Sequence, residues 1–173
     1  MNASLCQGND LEGFITGFYD EPSTVETQST TITNNTFKDV FQAAAINFHP
    51  TGGYGNLTFS NNTVILPNAP NIFSVGVNVW NQNSGRPTIN SITVDNNVFS
   101  GDPNTDPAYY RAIDVANYPP SILIGTLAIT GNKFLTAVPS GREFVVSADQ
   151  VQKIKLRNNT YSNGGTVPIT YAP

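Results

Sequence analysis

The chain has 173 residues, a mass of 18.6 kDa, 12% charged residues and a formal net charge of -4. That length fits one domain, and a charge content about half the usual quarter argues against a coiled coil or a charge-driven disordered tail. Eight basic residues against 12 acidic ones leave no stripe to neutralise phosphates, which excludes nucleic acid as a partner, and a single cysteine excludes a disulfide framework or a Cys-rich zinc site.

Residues 1–29 do not fit the pattern that governs the rest. They read as an irregular N-terminal segment or partial cap, with FITGFY near Phe14 as a partial turn and Cys6 as an incidental thiol. The opening MNASLCQGND lacks a basic flank and an apolar segment, so it does not read as a secretory signal. No apolar run approaches the roughly 18–20 residues of a membrane helix, and no membrane partner is expected.

From Thr30 onward one short pattern recurs five times: TTITNNTF, LTFSNNTV from Leu57, ITVDNNVF from Ile92, LAITGNKF from Leu127 and IKLRNNTY from Ile154. Its second Asn falls at Asn35, Asn62, Asn97, Asn132 and Asn159 and is never replaced. Leu57 and Phe59 alternate with Thr58 and Ser60, the period of a strand with one buried face. The position before the fixed Asn is Asn34, Asn61, Asn96, Gly131 or Asn158. Asn and Gly best tolerate a left-handed backbone, so this position predicts a sharp corner. The fixed Asn needs its amide, and amides stacked from strand to strand pass hydrogen bonds along a ladder.

A second strand follows each corner: AAAINF at Ala43, VGVNVW at Val75, RAIDVA at Arg111, FVVSA at Phe144 and VPITY at Val167. The stretch DVFQAAAINF is strand by its place in the repeat, although it could be taken for a helix. Strands that recur in one direction without crossover helices stack as a coil. The expectation is an all-β parallel β-helix of about five coils over residues 30–173. Its core holds Ile32, Leu57, Phe59, Ile92, Val94, Leu127, Ile129, Ile154 and Leu156 on one sheet. Ile46, Phe48, Val77, Val79, Ile113, Val115, Val146 and Ile169 lie on the other.

The NN corners from Thr30 to Tyr171 resemble the right-handed parallel β-helix of the pectate-lyase-like superfamily, which includes polysaccharide lyases, hydrolases and phage tailspike shafts. The resemblance implies a groove over the long-strand sheet and its flanking loops. It also implies association of shafts into a homo-oligomer such as a trimer. The family's catalytic Asp groups and lyase Arg motif are not matched, so none is carried over.

Outward positions on the long strands are expected to form one polar column, Asn47, Asn78, Asp114, Ser147 and Thr170, beside a second of His49, Trp80, Ala116 and Asp149. Tyr109, Tyr110 and Tyr118 lie in loops flanking the same sheet. Aromatic faces with nearby amides suit sugar rings, so Asn47, Asn78, Trp80, Tyr109, Tyr110 and Tyr118 are the candidate substrate-binding residues. Asp114 and Asp149, one coil apart and offset by two residues, are expected roughly 8 Å apart, inside the inverting-glycosidase window. They are the candidate catalytic pair. Asp102 and Asp106 read as a Pro-rich turn, and His49 as a turn residue without triad partners. No metal or cofactor is expected.

Outward positions of the corner strand carry Thr31, Thr33, Thr58, Ser60, Thr93 and Thr130, interrupted by Asp95, Lys155 and Arg157, which reads as a solvated strand face. The final strand, VPITYAP, has no cap after it, so the end of the stack is expected to be covered by another subunit or a neighbouring domain. Two functions remain. One is a non-enzymatic structural or glycan-binding module, extracellular or on a virion, tail fibre or cell surface. The other is a polysaccharide lyase or glycoside hydrolase.

Overall fold

The computed structural model describes residues 3–21, 28–48, 53–67, 74–81, 87–101, 110–115, 122–135 and 143–172. They form a parallel β-helix of six coils with three six-stranded parallel sheets. The first sheet holds β1 (Ala3–Gln7), β4 (Gln28–Thr33), β7 (Gly53–Ser60), β10 (Thr88–Asp95), β13 (Leu123–Thr130) and β16 (Val151–Arg157). The second holds the short strands β2 (Asp10–Glu12), β5 (Thr36–Lys38), β8 (Thr63–Ile65), β11 (Val98–Ser100), β14 (Lys133–Phe134) and β17 (Thr160–Tyr161). The third holds β3 (Thr16–Asp20), β6 (Gln42–Phe48), β9 (Ser74–Asn81), β12 (Tyr110–Val115), β15 (Phe144–Ser147) and β18 (Ile169–Ala172).

The corner between the first and second sheets follows from its residues. Asn34, Asn61, Asn96 and Asn158 have φ between 54 and 56°, and Gly131 has φ 65°. These are left-handed values that Asn and Gly adopt at least cost. The next residue is the ladder amide. Asn35, Asn62, Asn97 and Asn132 each donate Nδ2 to the Oδ1 of the following coil's Asn, at 3.1, 3.1, 3.0 and 2.9 Å. Each also sends its backbone N–H to the same oxygen, at 2.9–3.2 Å. The ladder therefore satisfies buried polar groups at a bend where the strands cannot pair with one another.

Residues 3–20, expected as an irregular segment or partial cap, form a complete coil. β1 pairs with β4, β2 with β5 and β3 with β6. Gly8, at φ 69°, makes its corner. Asn9 is a sixth ladder member, donating N–H and Nδ2 to Asn35 Oδ1 at 2.9 and 3.0 Å.

Core columns run along the axis. Leu57, Ile92 and Leu127 are level with one another and buried, as are Phe59, Val94 and Ile129. Phe37, Phe59, Phe99 and Phe134 stack with centroids 5.3–6.5 Å apart. Small residues on the third sheet make room for these rings. A Cβ on Gly76 would lie 2.5 Å from the Ala112 carbonyl oxygen and 2.6 Å from the Phe99 ring. Three expected core residues sit in the last coil and are incompletely covered: Ile154 and Ile169 are partly buried, and Leu156 is 39% exposed. The side chain of Phe48 lies outside the described residues.

The register of the third sheet differs from expectation. Ala45, Asn78, Asp114, Val145 and Thr170 are level, and Asn47 is level with Trp80. Ser147 is level with Ala172, two positions from where it was expected. A slip of two residues keeps every side chain on its face, so alternation alone does not exclude it.

At the C-terminal end the edge of the second sheet alone is covered, while β16 and β18 remain outermost in theirs. After β17 the chain turns back, and Thr166 forms an antiparallel bridge with Thr160.

Candidate functional site on the outer face of the third sheet

Because Asn47 and Trp80 are neighbours on adjacent strands, they meet a residue that the sequence reading did not single out. Tyr19, on β3, is level with Ala45, and its ring lies 6.4 Å from that of Trp80 at a tilt of 47°. Asn47 is 7% exposed and donates Nδ2 to Tyr19 Oη at 3.3 Å and to Glu21 Oε1 at 3.2 Å. Tyr19 donates its hydroxyl to Glu21 Oε1. Partial burial, then the bond to Glu21, raise the Tyr19 phenol above its ordinary value, so it stays a neutral donor. Asn47 Oδ1 and Ser147 Oγ are enclosed on this face and find no hydrogen-bond partner among the described residues. The result is two tilted aromatic rings around one fixed amide and one carboxylate.

Asn78 lies in the adjoining column, level with Asp114. Asp114 is 2% exposed and forms an ion pair with Arg111 Nη1, three residues earlier. The sequence reading turned Arg111 inward or to a loop end. The guanidinium instead reaches the Asp114 carboxylate, at a point where Ala112 and Ile113 N–H both bond the Glu143 carbonyl.

Asp149 does not join this face. It is exposed in a single 3-10 turn, Ala148–Gln150, which leads into β16. Asp114 is level with Val145, so Asp149 lies four residues along rather than two. Strand and 3-10 rises make that offset roughly 11–13 Å, beyond the separation of paired glycosidase carboxylates. The offset is thus larger than the two residues expected, and the Asp114 carboxylate is engaged by Arg111. Tyr109 and Tyr118 lie outside the described residues, as do His49, Asp102 and Asp106. Tyr110 opens β12, but its side chain is outside them too. Among the described residues no group of three or more His, Cys, Asp or Glu side chains could hold a metal ion.

The outer face of the first sheet holds the hydroxyl array in its expected register. Thr31, Thr58, Thr93, Ala128 and Lys155 form one rank, and Thr33, Ser60, Asp95, Thr130 and Arg157 the next. Ser60 donates to Thr33 at 3.1 Å, and Thr130 donates to Asp95. The array spends part of its hydrogen-bonding capacity on itself.

Tyr19 and Glu21 share one signal in the sequence, the alternation of GFYDE at positions 17–21. No protein-family model, no curated protein and no solved structure matches the chain.

Proposed function

We propose that this chain is a non-enzymatic β-helical module that binds a polysaccharide or cell-surface glycan, with the outer face of the third sheet as its binding surface. The observation that carries the reading is the Tyr19–Trp80 pair beside Asn47 and Glu21. Sugar rings offer an apolar C–H face to an aromatic ring and hydroxyls to amides and carboxylates. The strands hold these groups before any ligand arrives, which limits the ordering cost of binding. What supports binding over turnover is Asp114, which is buried in an ion pair, and Asp149, which stands apart from it.

A rigid coil stack with long loops suits recognition at an extracellular, virion or tail-fibre surface. The parallel stack with an amide ladder supports kinship with the pectate-lyase-like superfamily. Exposed Leu5, Phe14 and Ile15 on the first coil support its being covered by another subunit or a neighbouring domain.

Trp80 is the only tryptophan in the chain, so its fluorescence reports this face directly. Titration with uronate-containing and neutral oligosaccharides is expected to shift its emission saturably for at least one class. Trp80→Ala and Tyr19→Ala should each weaken binding at least tenfold on a glycan array. Reducing ends or unsaturated products released by the wild type would overturn the non-enzymatic reading. No saturable shift and no array signal would overturn glycan binding.

A further inference from the structure

The hydrogen bonds around Asn47 use up its donors. Its Nδ2 group carries two hydrogens. One goes to Tyr19 Oη at 3.3 Å and the other to Glu21 Oε1 at 3.2 Å. The Tyr19 hydroxyl proton is also spent, on Glu21 Oε1. What this cluster still offers a ligand is acceptors. Tyr19 Oη keeps a lone pair, and a carboxylate has about four lone-pair positions, so Glu21 can take donors beyond these two. The Trp80 indole N–H and the Asn78 amide are the donors that lie beside the cluster.

The charges and the rings point the same way. Among the described residues of the third sheet's strands the one basic side chain is Arg111, and Asp114 engages its guanidinium. Tyr19 is half-exposed and Trp80 partly so, and their rings stand 6.4 Å apart at 47°. Such rings carry negative faces and draw a cation that comes within about 6 Å of a ring centre. A ligand carboxylate is negative and only accepts, so here it meets spent donors and a like charge. A hydroxyl both donates and accepts, and it fits. An ammonium group donates three N–H bonds, accepts none and is positive, so it matches the acceptors, the carboxylate and the ring faces together.

We propose that the sugar taken by this face is an amino sugar in its ammonium form, as in a glucosamine polymer, with the ammonium over the Tyr19 and Trp80 rings and its N–H donors on the Glu21 carboxylate. The inference rests on the glycan reading above and names the sugar class. Specificity is a difference of affinities, set by repulsion as well as attraction. Acetylating the amine removes the charge and leaves one N–H donor, so an N-acetylglucosamine chain binds more weakly. A uronate chain adds a repelled charge and binds most weakly.

The test titrates glucosamine, N-acetylglucosamine and galacturonate oligomers of equal length at low ionic strength, read by Trp80 emission. The glucosamine oligomer is expected to bind about tenfold tighter than its N-acetylated form, with galacturonate weakest, and added salt should narrow the gap. The chain has 12 acidic residues against eight basic ones, so it attracts any polycation to some degree. Two variants separate that background from this face. Glu21→Gln keeps an oxygen for Asn47 and Tyr19 but loses the charge, and most of the preference for the amino form should vanish. Asp10→Asn removes an exposed acid of the same coil on the second sheet and should leave the preference in place. N-acetylglucosamine or galacturonate binding as tightly as glucosamine overturns the proposal and leaves the glycan reading standing; this comparison needs no variant. A preference that survives Glu21→Gln overturns it as well. Silence from all three oligomers and from the glycan array is the failure of the glycan reading itself, and the proposal falls with it.

Discussion

Asn97 and Asn132, 35 residues apart, share one oxygen: Asn97 donates both its backbone N–H and its Nδ2 to Asn132 Oδ1, at 3.0 Å each. The previous coil treats Asn97 in the same way, and Asn97 Nδ2 also reaches the Phe59 carbonyl at 2.9 Å. Removing this amide from a fully buried site orphans groups on two neighbouring coils. Asn97→Ala is expected to cost about 3 kcal/mol or more, at about 1–3 kcal/mol for each unsatisfied buried group. Asn9→Ala, at the exposed start of the ladder, should cost about 1 kcal/mol or less. Urea denaturation of the two variants checks this, and equal costs would mean that the amides act independently rather than as a ladder.

Gly131 is the one glycine among the five repeat corners. A Cβ there would overlap Asn96 Oδ1, but Asn96 is exposed and its amide can swing away. Gly131→Asn, which copies the other corners, should change stability by less than about 1 kcal/mol. Gly131→Val should cost about 2 kcal/mol or more, since a β-branched residue is strained at positive φ. A shift in chemical-denaturation midpoint for valine but not asparagine is the expected result.

At Gly76 the constraint is crowding. Its hypothetical Cβ meets the Ala112 carbonyl and the Phe99 ring, and the carbonyl belongs to a paired strand that cannot retreat. Gly76→Ala is expected to cost about 2 kcal/mol by overpacking. Phe99→Leu in the same chain should recover only the part due to the ring. A double-mutant cycle measures that share, and full recovery would show that the backbone contact is harmless.

These costs show which features of the fold were legible in the sequence. The ladder was, because the amide at Asn35, Asn62, Asn97, Asn132 and Asn159 has no substitute, while its neighbour only needs a left-handed backbone. The first coil was hidden because Ser4 and Cys6 stand where the third coil has Leu57 and Phe59, so its strand lacks the apolar alternation. The outer face of the third sheet was half legible. Alternation put Asn47, Asn78 and Trp80 on it, but a slip of two preserves that phase, and only the coordinates place Asn47 beside Trp80 and Tyr19. The turn-back at SNGGTV carries strong turn residues, yet in a chain with many Gly and Pro loops nothing marked it as folding onto the edge of the second sheet.

Asp114 separates a structural role from a chemical one. Its carboxylate is buried and paired with Arg111, so Asp114→Asn leaves a guanidinium facing a neutral amide. Arg111 keeps some solvent contact, and the cost is expected to be about 2–3 kcal/mol, below that of breaking a fully buried pair. The thermal midpoint should fall while Trp80 fluorescence still reports glycan binding at a temperature where the variant is folded. Loss of binding with no loss of stability would move Asp114 from the scaffold to the binding surface.

Alkali should unfold the protein through its buried phenols. Burial raises the ionisation of Tyr54 and Tyr161 well above the ordinary value of 10, and the Asp20 and Glu143 carboxylates nearby push the same way. The folded chain thus keeps protons that the unfolded chain releases once the pH passes about 10, and stability falls with further rise in pH. Below that point both states hold these protons and the effect vanishes. Tyr54→Phe loses a hydroxyl that donates to Asp20 Oδ2 at 2.9 Å, so it should be about 1 kcal/mol less stable at neutral pH. Above pH 10 its thermal midpoint should decline less steeply than that of the wild type, and the two curves should converge. Parallel curves from pH 8 to 11.5 would show that Tyr54 ionises as freely in the folded chain as in the unfolded one.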